Sequence, residues 1–289
     1  MKIVTITKKI TPTICLLLIF LNVKGQNIIS SRVFDAATKE PMPFVNIGIK
    51  KKNIGTVSNE TGAFKILIPK DKTNDSLTFS FVGYHSFTIA IKQLFAESPD
   101  SIKLKQKTLE LPEVMVKANG KWKQKKMGLS RNLPGAMGVV QNDTLFDAVE
   151  CAQQIDLDSV LTKITSFHIY LKGVKTDTAN FRINFYNFDG ISPSDRVFEK
   201  EIFVKRSISN GWMEVDLDEY NIWLKGRIVV SIEFLPTSQQ KEKVSLWYGG
   251  ILICKGTSYS RTSSQGEWHK LDFGTYSIYV TTKKYVSKK

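Results

Sequence analysis

The sequence is poor in the residues that carry most metal and hydrolytic chemistry. It holds three histidines, His85, His168 and His269, and three cysteines in 289 residues. No Asp or Cys stands at metal-ligand spacing from His168. There is no Gly-x-Ser-x-Gly elbow and no glycine-rich phosphate loop, so the common signatures of serine hydrolases and nucleotide-binding enzymes are missing. Beyond Val23 no apolar run approaches the ~20 residues that a membrane-spanning helix needs. Acidic residues are also short, with 27 Asp and Glu against 41 Lys and Arg, a net charge of +14.

What is present begins with Lys2, Lys8 and Lys9, followed by an apolar run over residues 14–23. A positive segment before a short apolar one is the pattern of a secretory signal peptide, here residues 1–25 with cleavage near Gly25. Cys15 is unsuited to lipidation, because Ile14 precedes it and most of the apolar run follows it. Removal of the signal leaves Cys151 and Cys254, and an oxidising compartment makes them candidates for a single disulfide. Positive charge gathers in the signal, over residues 117–131 and in the tail 283–289. Such runs attract acidic polysaccharide, anionic lipid and nucleic acid, and export sets nucleic acid aside. Equally, they read as a solvated linker and tail.

The length and the 42% hydrophobic content suit two cores. Residues 30–34, 44–49, 63–68, 77–82, 87–91 and 101–104 are short β-type runs separated by turn clusters, with no sustained helical period. Two motifs stand out: Val33, Asp35, Thr38, Glu40, Pro41 and Pro43 in V-x-D-x-x-T-x-E-P-x-P, then Gly55-Thr56-Val57-Ser58-Asn59-Glu60 with Gly62 and Phe64. Leu77-Thr78-Phe79-Ser80-Phe81-Val82-Gly83-Tyr84 and Leu111-Pro112-Glu113-Val114-Met115-Val116 follow in order. In these stretches the chain resembles the carboxypeptidase-like regulatory domain, a transthyretin-like (Ig-like) β-sandwich found at the front of many TonB-dependent outer-membrane receptors. Ser31 stands where that family usually has Gly. The resemblance brings neither receptor nor peptidase. The rest of the chain is too short for a transport barrel, and none of the three histidines has Glu three residues on, as the zinc carboxypeptidases require.

Residues 108–135 read as a basic linker, and residues 147–154 could pass for a helical turn. After that the β pattern persists. Phe167, Ile169 and Leu171 alternate with His168 and Tyr170; Phe181, Ile183 and Phe185 alternate with Arg182 and Asn184; Ile228, Val230, Ile232 and Phe234 alternate with Ser231 and Glu233. These are half-buried strands. With further runs over residues 213–217, 244–252 and 276–280, they make the C-terminal part, residues 136–289, a jelly-roll-like β-sandwich. Trp212 with Val215-Asp216-Leu217, Val230 to Phe234, and Tyr259 to Trp268 are similar to an uncharacterised sandwich domain that often follows the regulatory domain, with no assigned activity. The expected architecture is all-β: signal 1–25, regulatory-type sandwich 26–107, linker, second sandwich.

Several features bear on function. Trp212, Trp247, Tyr248, Tyr259 and Trp268, with Trp223, could stack on sugars if exposed, or could fill the core. Glu214 and Asp216 share a strand face, which suits a solvated surface better than a glycosidase pair. His168 belongs to the face opposite Phe167, as a surface or second-face residue. Asp followed by Ser or Thr and an aliphatic or small residue recurs at Ser76, Ser101, Thr144, Ser159 and Thr178. This resembles the O-glycosylation signal of exported proteins in the bacteria that carry the regulatory domain. Turn preference accounts for the same triplets. The expectation is an exported, non-enzymatic envelope protein in the periplasm, on the outer membrane or secreted. It would have no cofactor, catalytic residue, metal or transmembrane segment after cleavage, and would bind polysaccharide or an envelope protein. The alternatives are an enzyme acting on surface glycans and a structural accessory of an outer-membrane complex.

Overall fold

Alternating side chains and frequent turn residues give the chain its strands. The computed structural model describes residues 27–108, 120–131, 136–141, 147–236, 245–252 and 257–287. In the first domain β1 (Asn27–Asp35), β2 (Asn46–Gly48), β3 (Gly55–Val57), β4 (Ala63–Ile68), β5 (Ser76–Ser80), β6 (Phe87–Ala90) and β7 (Ser101–Leu104) form two sheets, ordered β4-β1-β7 and β3-β2-β5-β6. In β4 the alternation is plain: Phe64, Ile66 and Ile68 are buried while Lys65 and Leu67 face outward. Val33, Ile47, Leu77 and Phe79 fill the space between the sheets, and helix α1 (Ile91–Glu97) adds Ile91 and Leu94. This is the sandwich that the sequence pattern implied.

The motifs of that domain have a structural reason. The Asp35 carboxylate accepts the backbone N–H groups of Ala37 and Thr38 at 2.6 and 2.9 Å, closing the turn after β1. Its other oxygen accepts the Tyr84 hydroxyl at 2.6 Å, so two motifs 49 residues apart are one unit. Asn59 Oδ1 accepts from the backbone N–H of Thr61 and of Ala63. Between them Gly62 takes φ +73°, a conformation in which a side chain is strained.

The second domain comprises β8 (Gly120–Gly128), β9 (Ala136–Gln141), β10 (Val149–Asp156), β11 (Thr162–Lys172), β12 (Thr178–Phe188), β13 (Pro193–Arg196), β14 (Ile202–Ser207) and β15 (Gly211–Asp216). It continues with β16 (Ile222–Leu224), β17 (Arg227–Leu235), β18 (Ser245–Ile251), β19 (Ser258–Arg261), β20 (His269–Lys270), β21 (Thr275–Tyr276) and β22 (Ile278–Ser287). One sheet runs β13-β12-β17-β10-β19-β20 with β14 on β12; the other runs β21-β18-β11-β22-β8 with β15 and β16 on β11 and β9 on β18. Phe167, Ile169, Phe181, Ile183, Phe185, Val230 and Ile232 meet in one core between them. The chain crosses repeatedly from one sheet to the other.

Two local expectations are corrected. Residues 147–154 contain no helical turn, because Val149–Asp156 pairs with β17 and β19 on either side. Within the stretch read as linker, Gly120–Gly128 is a strand paired along its length with β22. Its lysines are compatible with this because β8 ends the sheet among the described residues, and Lys123, Lys125 and Lys126 are exposed.

The polar faces of β12 and β17 are not solvated. The first domain lies on them, so both faces of these strands are buried. Arg182, fully buried, bonds Glu233 Oε2 at 3.1 Å, Glu201 Oε1 at 3.2 Å and the Phe44 carbonyl at 2.6 Å. Phe44, Val57, Ala148 and Leu235 form a small apolar cluster beside this network. The backbones also come close. A Cβ at Gly48 would lie 2.3 Å from the Ser264 carbonyl oxygen, and one at Gly55 2.6 Å from the same atom. Asp147 anchors that loop by accepting the Ser263 hydroxyl and the Ser264 N–H. Burial pushes the Asp147 carboxyl above the usual aspartate range despite these bonds.

Candidate functional site

The outward face of the β8-containing sheet is built around β11. Phe167, Ile169 and Leu171 enter the core, so His168, Tyr170 and Lys172 project the other way. Residues directly opposite one another on paired antiparallel strands share a face. The register therefore places Glu214 opposite His168, Trp212 opposite Tyr170, Tyr279 opposite His168 and Trp247 opposite Lys172. Four strands contribute to one aromatic surface.

The rings are in contact. Trp212 packs edge-on against Tyr170 at 5.3 Å and against Tyr279 at 5.0 Å. His168 stacks flat on Tyr279 at 4.1 Å, and the Ser166 and Thr281 hydroxyls lie 2.8 and 3.0 Å from its Nε2. Burial lowers the His168 pKa, with Lys126 adding to the effect and Glu214 opposing it, so the ring is neutral near pH 7. Lys126 lies over Tyr279 at 5.2 Å and Lys172 over Tyr170 at 5.9 Å. Trp212 and Trp247 are each 39% exposed. The Trp247 indole lies against Gly173, where a Cβ would meet its Cδ1 at 2.8 Å. Together these side chains offer flat apolar rings edged with ammonium donors, a surface suited to the apolar faces and hydroxyls of sugar rings.

The other sequence candidates are scattered. Tyr248, next to Trp247 on β18, points inward and is fully buried, and Tyr259 is 1% exposed in a cluster with Ala152, Tyr186 and Val229 on the opposite sheet. Neither presents a ring to solvent. Trp268 is half-buried against Tyr186, with the Arg261 guanidinium 4.6 Å from its ring. Trp223 packs on Trp122. Glu214 and Asp216 are exposed, and His168 occupies the second face but is covered by its neighbours. Cys151 is a free, buried thiol, and Cys254 lies outside the described residues. Ser76, Ser159 and Thr178 are exposed and Ser101 half-buried; Thr144 and the signal segment lie outside the described residues. Sequence reasoning missed Tyr170, Lys172, Tyr279 and Lys126 as members of the surface. Strand parity on β11 was the signal that could have found Tyr170 and Lys172.

No curated protein matches this chain. Among solved structures, the chain is similar to the cysteine protease and lectin-like domains of Cwp84, a surface-layer-associated protein of Clostridium difficile, at 11% identity and TM-score 0.42, covering 89% of this chain and 58% of that one. The infectious bursal disease virus VP2 subviral particle follows at 11% identity and TM-score 0.30, covering 89% and 62%. The chain thus spans less than two thirds of either. Residues 29–116 match the family model of the CarboxypepD_reg-like domain, which supports the regulatory-type reading of the N-terminal sandwich.

Proposed function

We propose that this is an exported, non-enzymatic cell-envelope protein whose second sandwich binds polysaccharide through the surface of Trp212, Tyr170 and Trp247. The observation that carries the reading is the placement of two well-exposed tryptophans, with Tyr170 and flanking lysines, on one continuous sheet face. Export is supported by the signal-type pattern of residues 1–25 and by a regulatory-type domain typical of envelope proteins. No helix among the described residues is long and apolar enough to cross a membrane. Binding rather than hydrolysis is supported by Glu214, whose side chain is 64% exposed, since a general-acid carboxyl needs an apolar pocket to stay protonated.

The test is a glycan-array and titration comparison of the full exported chain with the double variant Trp212→Ala/Trp247→Ala. Loss of stacking on two rings is expected to weaken polysaccharide binding at least tenfold; because Trp212 also packs on Tyr170 and Tyr279, circular dichroism first establishes that the variant is folded at the assay temperature. Absence of glycan binding by the unaltered protein, or equal binding by the variant, overturns the reading.

A further inference from the structure

Where the first domain rests on the second, a cleft of 330 Å³ remains open between them. Ser80, Phe81 and Tyr84 line it from the first domain, and Tyr186, Arg196 and Arg261 from the second. Several charges at this junction are paired, and Arg196 feels Glu233 and Glu150 only at a distance. Arg182 is held by Glu233 and Glu201, Arg261 by Glu150, and Lys107 by Glu199 at 2.6 Å. Arg196 has no carboxylate within 4.0 Å among the described residues. It donates to the Ser80 hydroxyl at 3.3 Å and lies over the Tyr186 ring at 5.7 Å, while its Nε is buried with no hydrogen-bond partner. That nitrogen has no exposed area to offer a ligand, so an anion in the cleft would be met by the terminal guanidinium nitrogens at its wall.

The surroundings favour a carboxylate over a bare inorganic anion. Arginine's parallel donors match a carboxylate and a phosphate alike, so the choice rests on the groups beside it. Around it stand hydroxyls, those of Ser80 and Tyr84 among them, and the aromatic rings of Phe81 and Tyr186. Four cationic side chains line the cleft against two acidic ones, and Lys50, exposed, adds attraction for an incoming anion. A ligand bearing one carboxylate, several hydroxyls and an apolar ring face fits this lining, and the volume holds one to two such rings, within the usual range of about 300 to 1,000 Å³ for small-ligand sites. We infer that the cleft between the domains binds a uronic-acid residue of an acidic saccharide, with Arg196 receiving the carboxylate. This second site lies on the opposite sheet from the aromatic surface and stands whether or not that surface binds glycan.

The experiment is isothermal titration of the full exported chain at low salt with trigalacturonate, with galactotriose as its neutral counterpart and glutarate as a simple dicarboxylate. Trigalacturonate is expected to bind, and Arg196→Gln to weaken it at least tenfold with Arg196→Lys intermediate. The Trp212→Ala/Trp247→Ala variant is expected to keep a trigalacturonate site that still responds to Arg196→Gln, which separates this inference from the reading of the aromatic surface. Should Arg196→Gln not fold, Lys50→Gln, altered only at an exposed position, is expected to lose two- to fivefold. No binding of trigalacturonate, binding indifferent to both substitutions, or equal binding of glutarate overturns the assignment.

Discussion

Asn46 and Glu233 stand 187 residues apart, yet the Asn46 side-chain amide donates to Glu233 Oε1 at 2.8 Å with both side chains sealed from solvent. The bond crosses from the first sandwich to the second and shares its carboxylate with Arg182. Buried ion pairs of this kind are expensive to leave half-made, because the remaining charge stays desolvated. Arg182→Ala is therefore expected to destabilise the protein by about 3 to 5 kcal/mol. All five tryptophans lie beyond the first sandwich, so indole fluorescence follows the second domain and far-ultraviolet circular dichroism follows both. The two signals are expected to coincide in the unaltered protein during denaturant unfolding and to separate in the variant.

Asp35 gives the first domain an acid-sensitive set of hydrogen bonds. The Tyr84 hydroxyl, then the backbone N–H groups of Thr38 and Ala37, hold its carboxyl below the usual aspartate value, while burial and this bond push Tyr84 up to about 12. A carboxylate with a depressed folded pKa contributes stability that is complete above its unfolded value and is lost as pH falls through the folded one. Asp35→Asn is expected to cost on the order of 1 kcal/mol at neutral pH, the scale of a net hydrogen bond. The gap to the unaltered protein should narrow below pH ~4. Thermal melts across pH 2.5 to 7 check both the size and the direction.

Much of this was readable from strand alternation and turn chemistry. The inward set Phe181, Ile183 and Phe185 is the core set, and the Asn59 segment closes a turn as its Asn and Gly residues suggest, whereas the turn held by Asp35 was not read from its motif. The alternate set Arg182, Asn184, Ser231 and Glu233 reads as a solvated face, and its burial depends on Phe44 and Asn46, which no local window contains. The charge-rich segment over residues 120–128 shows no apolar period because its pairing uses backbone groups, with Met127 leaning on the core. For the candidate site, counting rings was insufficient. Trp247 and Tyr248 are neighbours on one strand, so only one of them can face outward.

Cys151 offers a chemical check on the second core. Burial pushes its thiol up to about 12, and only the thiolate is a nucleophile. Iodoacetamide at pH 8 is expected to leave Cys151 unmodified in the folded protein and to label it after unfolding without reductant, as peptide mass mapping would read. Protection that persists after unfolding would mean a bridge to Cys254 instead.

Intact mass of protein from its native host tests the processing and modification signals together. The expected chain begins near Gln26 and carries added glycan mass at some of Ser76, Ser101, Ser159 and Thr178, none of which is buried. A mass equal to the bare cleaved chain removes the glycosylation reading, and recovery of residues 1–25 in the mature pool removes the signal-peptide reading.

The last strand of the larger sheet has a bearing on solubility. Among the described residues β8 ends its sheet, and the backbone edge of such a strand is a template on which another chain can add. Here that edge carries Lys123, Lys125 and Lys126, all exposed. Two copies meeting edge to edge would bring these ammonium groups together in register, and the repulsion opposes growth of a continuous intermolecular sheet. The basic run is thereby a gatekeeper, and neutralising it would turn a terminal strand into a nucleus for polymerisation.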